Sequence, residues 1–198
     1  MKFETEDFSA AEGFPEIGKW LLYPNLKPGN WKGARYKGKK MREPINVIFK
    51  DEKSSSPEDG INSIINELYK AGYQIRWGHF SGLYSLIDRK LYKQIPQKFF
   101  CAFSDDSWLK RNNHGRLFGP HLKDGTFYFT GAFSREKGFT HGFISFNKGR
   151  DDLIAKFDDG GKYKFVKYVN LDNKIENEAI STADHDGKAV LISTKIIE

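Results

Sequence analysis

The sequence predicts an α+β fold: a single domain with a mixed, mostly antiparallel sheet and helices on one face. Three observations carry this expectation. Aromatic residues reach 15%, with 17 Phe and 9 Tyr, a composition that packs well on pleated surfaces. Short apolar or alternating runs recur between Gly, Pro, Asn and Asp clusters, as strands do. Helical patterns with start and stop signals stand between these runs. With 38% apolar and 29% charged residues over 198 positions, the chain can bury a sizeable core, which excludes a disordered polymer.

Residues 1–43 read as an irregular N-terminal arm, punctuated by Pro15, Pro24, Pro28, Gly29, Gly33 and Gly38. Trp20, Leu21, Leu22, Tyr23 and Trp31 predict that this arm packs on the body, residues 44–198. Ile45–Phe49 suits a buried strand. A helix follows, with Ser56 as N-cap, Pro57 at its first position and Asp59 in its first turn. Its apolar stripe is Ile61, Ile64, Ile65 and Leu68, and Gly72 ends it. Tyr73–Trp77 alternates like a strand, which makes a βαβ unit the expected arrangement. A second helix is expected over Leu83–Gln94, before Pro96. Strands follow at Lys98–Ser104, His114–Phe118, Thr126–Phe133 and His141–Phe146, with Lys123-Asp124-Gly125 as a turn. Asn147 then reads as the cap of a helix carrying Leu153, Ile154 and Phe157, closed by Gly160-Gly161. Lys164–Asn170 and Ala189–Ile197 complete the strands.

Net charge is +6, unevenly spread. Lys27, Lys32, Arg35, Lys37, Lys39, Lys40 and Arg42 run without an acid between them. Glu4, Glu6, Asp7, Glu12 and Glu16 precede them. The basic stretch is either a phosphate-binding surface or a solvated loop facing the acidic N-terminus. One cysteine, Cys101, excludes an internal disulfide. It lies in an apolar run, as core cysteines do. No apolar signal core or membrane-length stretch is present, so the expected location is cytoplasmic.

Chemistry concentrates in a few places. His114 and Arg116 sit at i and i+2 of one expected strand and so share a face. Imidazole moves protons and guanidinium holds phosphate or carboxylate; a solvated sheet face would account for the same pair. His141 opens another strand and shares a face with Ser145. His114 and His141 could form an acid–base pair across a phosphodiester. Asp184-His185-Asp186-Gly187 could hold a divalent cation or form a turn. Asn113, Arg135, Arg150 and Ser145 are the candidate ligand-binding residues around these groups. Arg150 opens a helix, where the dipole disfavours a cation; an ion pair with a neighbouring acid is the simpler account. The chain lacks a Gly-rich phosphate loop, a paired-Cys zinc site, His-Glu-x-x-His and Gly-x-Ser-x-Gly.

Pro44-Ile45-Asn46-Val47, Asn113-His114-Gly115-Arg116-Leu117-Phe118-Gly119-Pro120, His141, Arg150-Asp151 and Asp184-His185-Asp186-Gly187 together resemble the LssY-type C-terminal domain. They are similar also to a group of microbial proteins that share the Asn-His-Gly-Arg-x-Phe-Gly-Pro segment. The resembling stretch is Pro44 to Phe157, and Asp184-His185-Asp186-Gly187 lies beyond it. Phe118 stands where the LssY pattern has Trp, and His141 stands alone where it has a His pair.

The leading expectation is a hydrolase, phosphoesters first, or a phosphate-ligand-handling domain. His114 and His141 would be its acid–base pair, Arg116 its anion holder, and Asp184, His185 and Asp186 its cation or His-orienting turn. The runner-up is a non-catalytic binding module whose basic arm docks an anionic partner, nucleic acid or an anionic lipid surface.

Overall fold

The computed structural model describes residues 7–10, 13–140, 142–157 and 161–194, with backbone only at 32–34. His141, Gly160, Glu4, Glu6 and Glu12, singled out above, lie outside the described residues. In chain order the elements are β1 (Phe8–Ser9), β2 (Ile17–Gly18), β3 (Asn30–Tyr36), β4 (Lys39–Arg42), β5 (Val47–Asp51) and α1 (Pro57–Lys70). There follow β6 (Gln74–Trp77), β7 (Tyr84–Ile87), β8 (Lys90–Ile95), β9 (Cys101–Ser104), β10 (Asn112–Lys123) and β11 (Thr126–Glu136). The chain continues through β12 (Phe143–Ser145), α2 (Phe146–Phe157), β13 (Lys164–Asn170), β14 (Ile180–Ser181) and β15 (Lys188–Ser193).

The long β10–β11 hairpin is the centre of a curled sheet. Its path runs β1-β2-β7-β8-β10-β11-β5-β15-β13, with β9 also on β10, β6 on β9 and β12 on β11. β5 and β15 pair in parallel, as do β4 and β14. The hairpin itself and the β5–β11 pair are antiparallel. A small sheet, β14-β4-β3, lies apart from this path.

Period-two alternation sends side chains to two apolar layers. One holds Val47, Phe49, Phe129, Phe133 and Leu117 together with Ile64 and Leu68 of α1 and Leu153, Ile154 and Phe157 of α2. Both helices thus feed one cluster, and Ile61 and Ile65 pack against it only partly buried. The other layer holds Ile45, Ile48, Leu191, Phe118 and Ala132 against Ile17 and Leu21 from the N-terminal arm. Ser56 caps α1, accepting from Asp59 N at 3.1 Å. Tyr73 N donates to Leu68 O beyond Gly72, closing the helix.

Four expectations are corrected. Leu83–Gln94 is no helix but the β7–β8 hairpin. Asp88 and Arg89 both adopt left-handed φ, 47° and 59°, the conformation of a two-residue hairpin turn. Asp and Arg in place of Asn-Gly hid that turn. Second, β6 pairs with β9 and not with β5, so the strand–helix–strand run is not a parallel βαβ unit. Third, Ser145 and not Asn147 caps α2: its hydroxyl accepts from Lys148 N at 2.8 Å. Fourth, the arm is not irregular throughout, since residues 30–42 form the β3–β4 hairpin. It does pack on the body, with Trp20, Leu21, Leu22 and Trp31 buried. Among its cations, Lys39 pairs with Glu176, and Arg42, whose Nε donates to Asn30 Oδ1 at 3.2 Å, lies over Trp20.

Candidate functional site

The site grows from the β10–β11 register. Asn112 lies opposite Glu136, His114 opposite Ser134 and Arg116 opposite Ala132. These six side chains alternate onto one face of the hairpin. Ser134 and Ala132 are small, so the larger groups across from them have room to project. Gly115 points the other way, where a Cβ would stand 2.3 Å from the Phe133 ring. Its bareness serves core packing.

Beside this face lies a cavity of ≈ 90 Å³, lined by His79, Phe80, His114, Arg116 and Glu136 with Tyr23, Asn30, Trp31 and Glu43 from the arm and the start of the body. His79 reaches it because the chain turns sharply after β6. Gly78 has φ 103°, and His79 N donates to Phe100 O at 3.2 Å. Trp31 closes another wall, its ring 5.5 Å from that of His114.

Three donors converge in this cavity. His79 Nδ1 stands 3.7 Å from Glu136 Oε1, and His114 Nδ1 stands 3.7 Å from Glu136 Oε2. The two imidazoles stack, centroids 4.6 Å apart at 26°. One ligand atom from each of the three residues falls within 4.8 Å of the others. Donors held at about 2.1 Å by one tetrahedral ion are separated by roughly 3.4 Å, so the spacing fits a divalent cation. Outer contacts orient the set. Asn112 Nδ2 donates to Glu136 Oε1 at 3.1 Å, and Ser134 Oγ stands 3.5 Å from His114 Nε2. A hydrogen-bonding group on the far ring nitrogen is the usual support of a metal-ligating histidine.

Arg116 lies at the cavity wall and is buried. Its Nε and Nη2 donate to Phe80 O at 3.1 and 2.9 Å, and its Nη1 is 3.7 Å from Glu43 Oε2. Burial pushes the Glu43 carboxyl above its ordinary value, against the opposing charge of Arg116. Burial likewise lowers the Arg116 guanidinium, against Glu43 and Glu136.

Of the residues expected to form the site, His114 and Arg116 meet in the cavity. The others go elsewhere. Asn113 and Arg135 alternate to the opposite face and join Asp152 and Asp105; Arg135 Nη1 lies 2.5 Å from Asp152 Oδ2 and Asn113 Nδ2 lies 2.8 Å from Asp105 Oδ2. Ser145 donates to Asp184, and Phe146 N donates to Asp184 Oδ1 at 2.9 Å. Asp186 pairs with Arg150 at 2.7 Å, and Arg150 also reaches Asp151 and Lys188 O. His185 is fully buried, with Nε2 2.7 Å from Asn173 Oδ1. Asp184, His185 and Asp186 therefore do not converge on a cation: each already holds a helix start, a neighbouring loop or a guanidinium. The ion-pair account of Arg150 stands. Burial opposes ionisation of Asp186, but the hydrogen bonds and charge of Arg150 overcome it and hold that carboxyl low.

Sequence reasoning missed His79, Glu136 as a donor, and Glu43. The register explains Glu136. Counting back from the turn at Asp124-Gly125 would set Arg135 opposite His114. The pairing instead slips by one residue between Phe118 and His121, which exchanges the face that Glu136 presents. His79 carries a weak local signal, a His directly after a Gly at a strand end. No helix among the described residues is long and apolar enough to cross a membrane. Compared with family models, curated proteins and solved structures, the chain matches none.

Proposed function

We propose that this chain is a divalent-metal-dependent hydrolase of small anionic esters, phosphoesters foremost. His79, His114 and Glu136 hold the cation, Arg116 holds the anionic group, and Glu43 is the proton donor. The observation that carries this reading is the convergence of two imidazoles on one carboxylate, each Nδ1 3.7 Å from one of its oxygens, at one cavity. Two histidines and a glutamate leave an open position on zinc, as in catalytic sites. When bound, the cation supplies Lewis-acid polarisation of an ester oxygen and activation of water.

The same donor set serves iron oxygenases; Arg116 and Glu43 favour the hydrolase reading. A cation beside the ligand set suits an anionic substrate. Burial pushes the Glu43 carboxyl up, a direction that favours its acid form and suits the role of proton donor to a leaving group. The expected cluster with His141 and the Asp184–Asp186 turn is replaced in this reading by His79, Glu136 and Glu43.

The test is elemental analysis of the purified chain, followed by stripping and reloading with zinc, manganese or iron against a panel of chromogenic phosphomonoesters and phosphodiesters. Hydrolysis is expected only in the loaded protein. Arg116→Ala should raise KM, and Glu43→Gln should lower kcat most for esters with poor leaving groups. Metal bound equally well by His79→Ala protein, or a loaded protein inert on every ester, would overturn the reading.

A further inference from the structure

At the end of the sheet next to the cavity, the end of β6 and three connections present large apolar side chains to solvent. Trp77 closes β6 and is 59% exposed; Phe99, between β8 and β9, is 86% exposed. Leu109, between β9 and β10, is 55% exposed, and Phe139, between β11 and β12, is 70% exposed. Trp77, Phe99 and Phe139 are joined through Phe100 and Trp108, and Leu109 directly follows Trp108. Trp77 contacts Phe100 and Trp108 with ring centroids at 5.4 and 6.3 Å, Trp108 stacks on Phe139 at 5.9 Å, and Phe99 lies 5.8 Å from Phe100. A contiguous exposed apolar patch of this kind marks an interaction site, whereas single exposed residues mark nothing.

The links are pinned, not loose. A Cβ on Gly78 would stand 2.6 Å from the Trp108 ring, and one on Gly138 would stand 2.5 Å from the Lys110 carbonyl carbon. The backbones approach this closely only because glycine stands at both points. Cations interleave with the apolar groups: Lys98 precedes Phe99, Lys110 and Arg111 follow Leu109, and Lys137 lies two residues before Phe139, all four exposed. Among acids of the β9–β10 link, Asp106 pairs with Lys110 and Asp105 with Lys156.

We infer that this surface docks the protein on an anionic membrane, with Trp77, Phe99, Leu109 and Phe139 in the interfacial layer and Lys98, Lys110, Arg111 and Lys137 against the headgroups. The chemistry selects this occupant. The most exposed groups are loop-borne Phe and Leu side chains standing in solvent, suited to a plane of acyl chains. Leu109 offers no face for a nucleic-acid base, and Trp108 already has Phe139 stacked on it. Tryptophan prefers the membrane interface, and basic side chains add attraction to anionic lipid. Phe80, partly exposed, follows directly from Trp77-Gly78-His79 and lines the cavity, so docking would set the cavity mouth beside the lipid. The inference stands on the patch alone and does not depend on the metal reading.

Sedimentation with vesicles tests it, using phosphatidylcholine alone and phosphatidylcholine mixed with phosphatidylserine, for the wild type, Phe99→Ser/Phe139→Ser and Lys110→Glu/Arg111→Glu. These positions are exposed, so circular dichroism should show unchanged folds. Binding to the mixed vesicles is expected, weakened roughly tenfold by either double variant. Trp77 and Trp108 fluorescence should shift to the blue on binding, since Trp20 and Trp31 are buried in any case. Absence of binding to mixed vesicles at low salt would overturn the inference, as would full retention by the Phe99→Ser/Phe139→Ser protein. So would a fluorescence change with single-stranded oligonucleotide but none with vesicles.

Discussion

His114 and His185 are both buried imidazoles beside carboxylates, and in sequence the second neighbourhood looks the richer. Asp184-His185-Asp186 packs two carboxylates around one His, whereas His114 has no acid within seven residues on either side. The fold reverses the ranking. Around His185 each donor has a structural use: Asp184 at the start of α2, Asp186 on Arg150, and Nε2 of His185 on Asn173. Around His114 the donors come from β10, β11 and the link after β6, and they face one cavity. Proximity in sequence favours turns, because Asp and Gly close them locally. Convergence of donors from separate strands requires the tertiary fold to hold polar groups together, and that is the stronger sign of a site.

The largest expected effect separates the two neighbourhoods directly. His79→Ala and His114→Ala should weaken divalent-metal affinity by at least about 100-fold, since even losing an outer partner of a ligand costs roughly 10–100-fold. His185→Gln and Asp186→Asn should leave the affinity unchanged. Isothermal titration with zinc reads both. Metal affinity that followed the turn variants and ignored His79 would invert the comparison.

The next effect is one of stability. Burial pushes His185 down to about 4 from an ordinary 6.5. Its Nε2–H on Asn173 suits the neutral ring. The unfolded chain takes up this proton near pH 6.5 and the folded chain only near pH 4. Its contribution is therefore complete above pH 6.5 and is lost as the pH falls toward 4. Between pH 7 and pH 5 the loss is about 2 kcal/mol. Urea unfolding at the two pH values should show that drop in the wild type and a smaller one in His185→Gln. Equal slopes would mean that His185 is not the buried neutral group described.

Local rules made much of the fold legible. Ser56, Pro57 and Gly72 bounded α1, and Ile64 and Leu68 are in its buried face. The strand runs around residues 45–49, 114–118, 126–133 and 164–170 carry β5, β10, β11 and β13. What failed depended on backbone states that residue type only weakly favours. Left-handed Asp88 and Arg89 turned an apparent helix into a hairpin. The site divides in the same way. That His114 and Arg116 share a face follows from the two-residue period. The partners Glu136, His79 and Glu43 follow from a one-residue slip in register, a bend at Gly78 and the packing of the arm, none of which spacing along the chain encodes.

The smallest effect concerns Asp184, and it decides whether the turn is architecture alone. Ser145 Oγ accepts from Lys148 N and donates to Asp184, while Asp184 Oδ1 accepts from Phe146 N at 2.9 Å. Ser145 and Asp184 thus satisfy the open N–H groups at the start of α2 as one unit, and the carboxylate lies at the positive end of the helix dipole. Loss of such a cap costs about 1 kcal/mol, so Asp184→Ala and Ser145→Ala should each lower stability by about that amount. Because the two side chains share a hydrogen bond, the double variant should cost less than the sum of the single variants. A double-variant cycle by urea unfolding measures this coupling. Additive losses would show that the groups act separately. A change in zinc affinity with either substitution would return the turn to the candidate site, since α2 packs on β11 at Ser134, where Gly149 leaves no room for a Cβ.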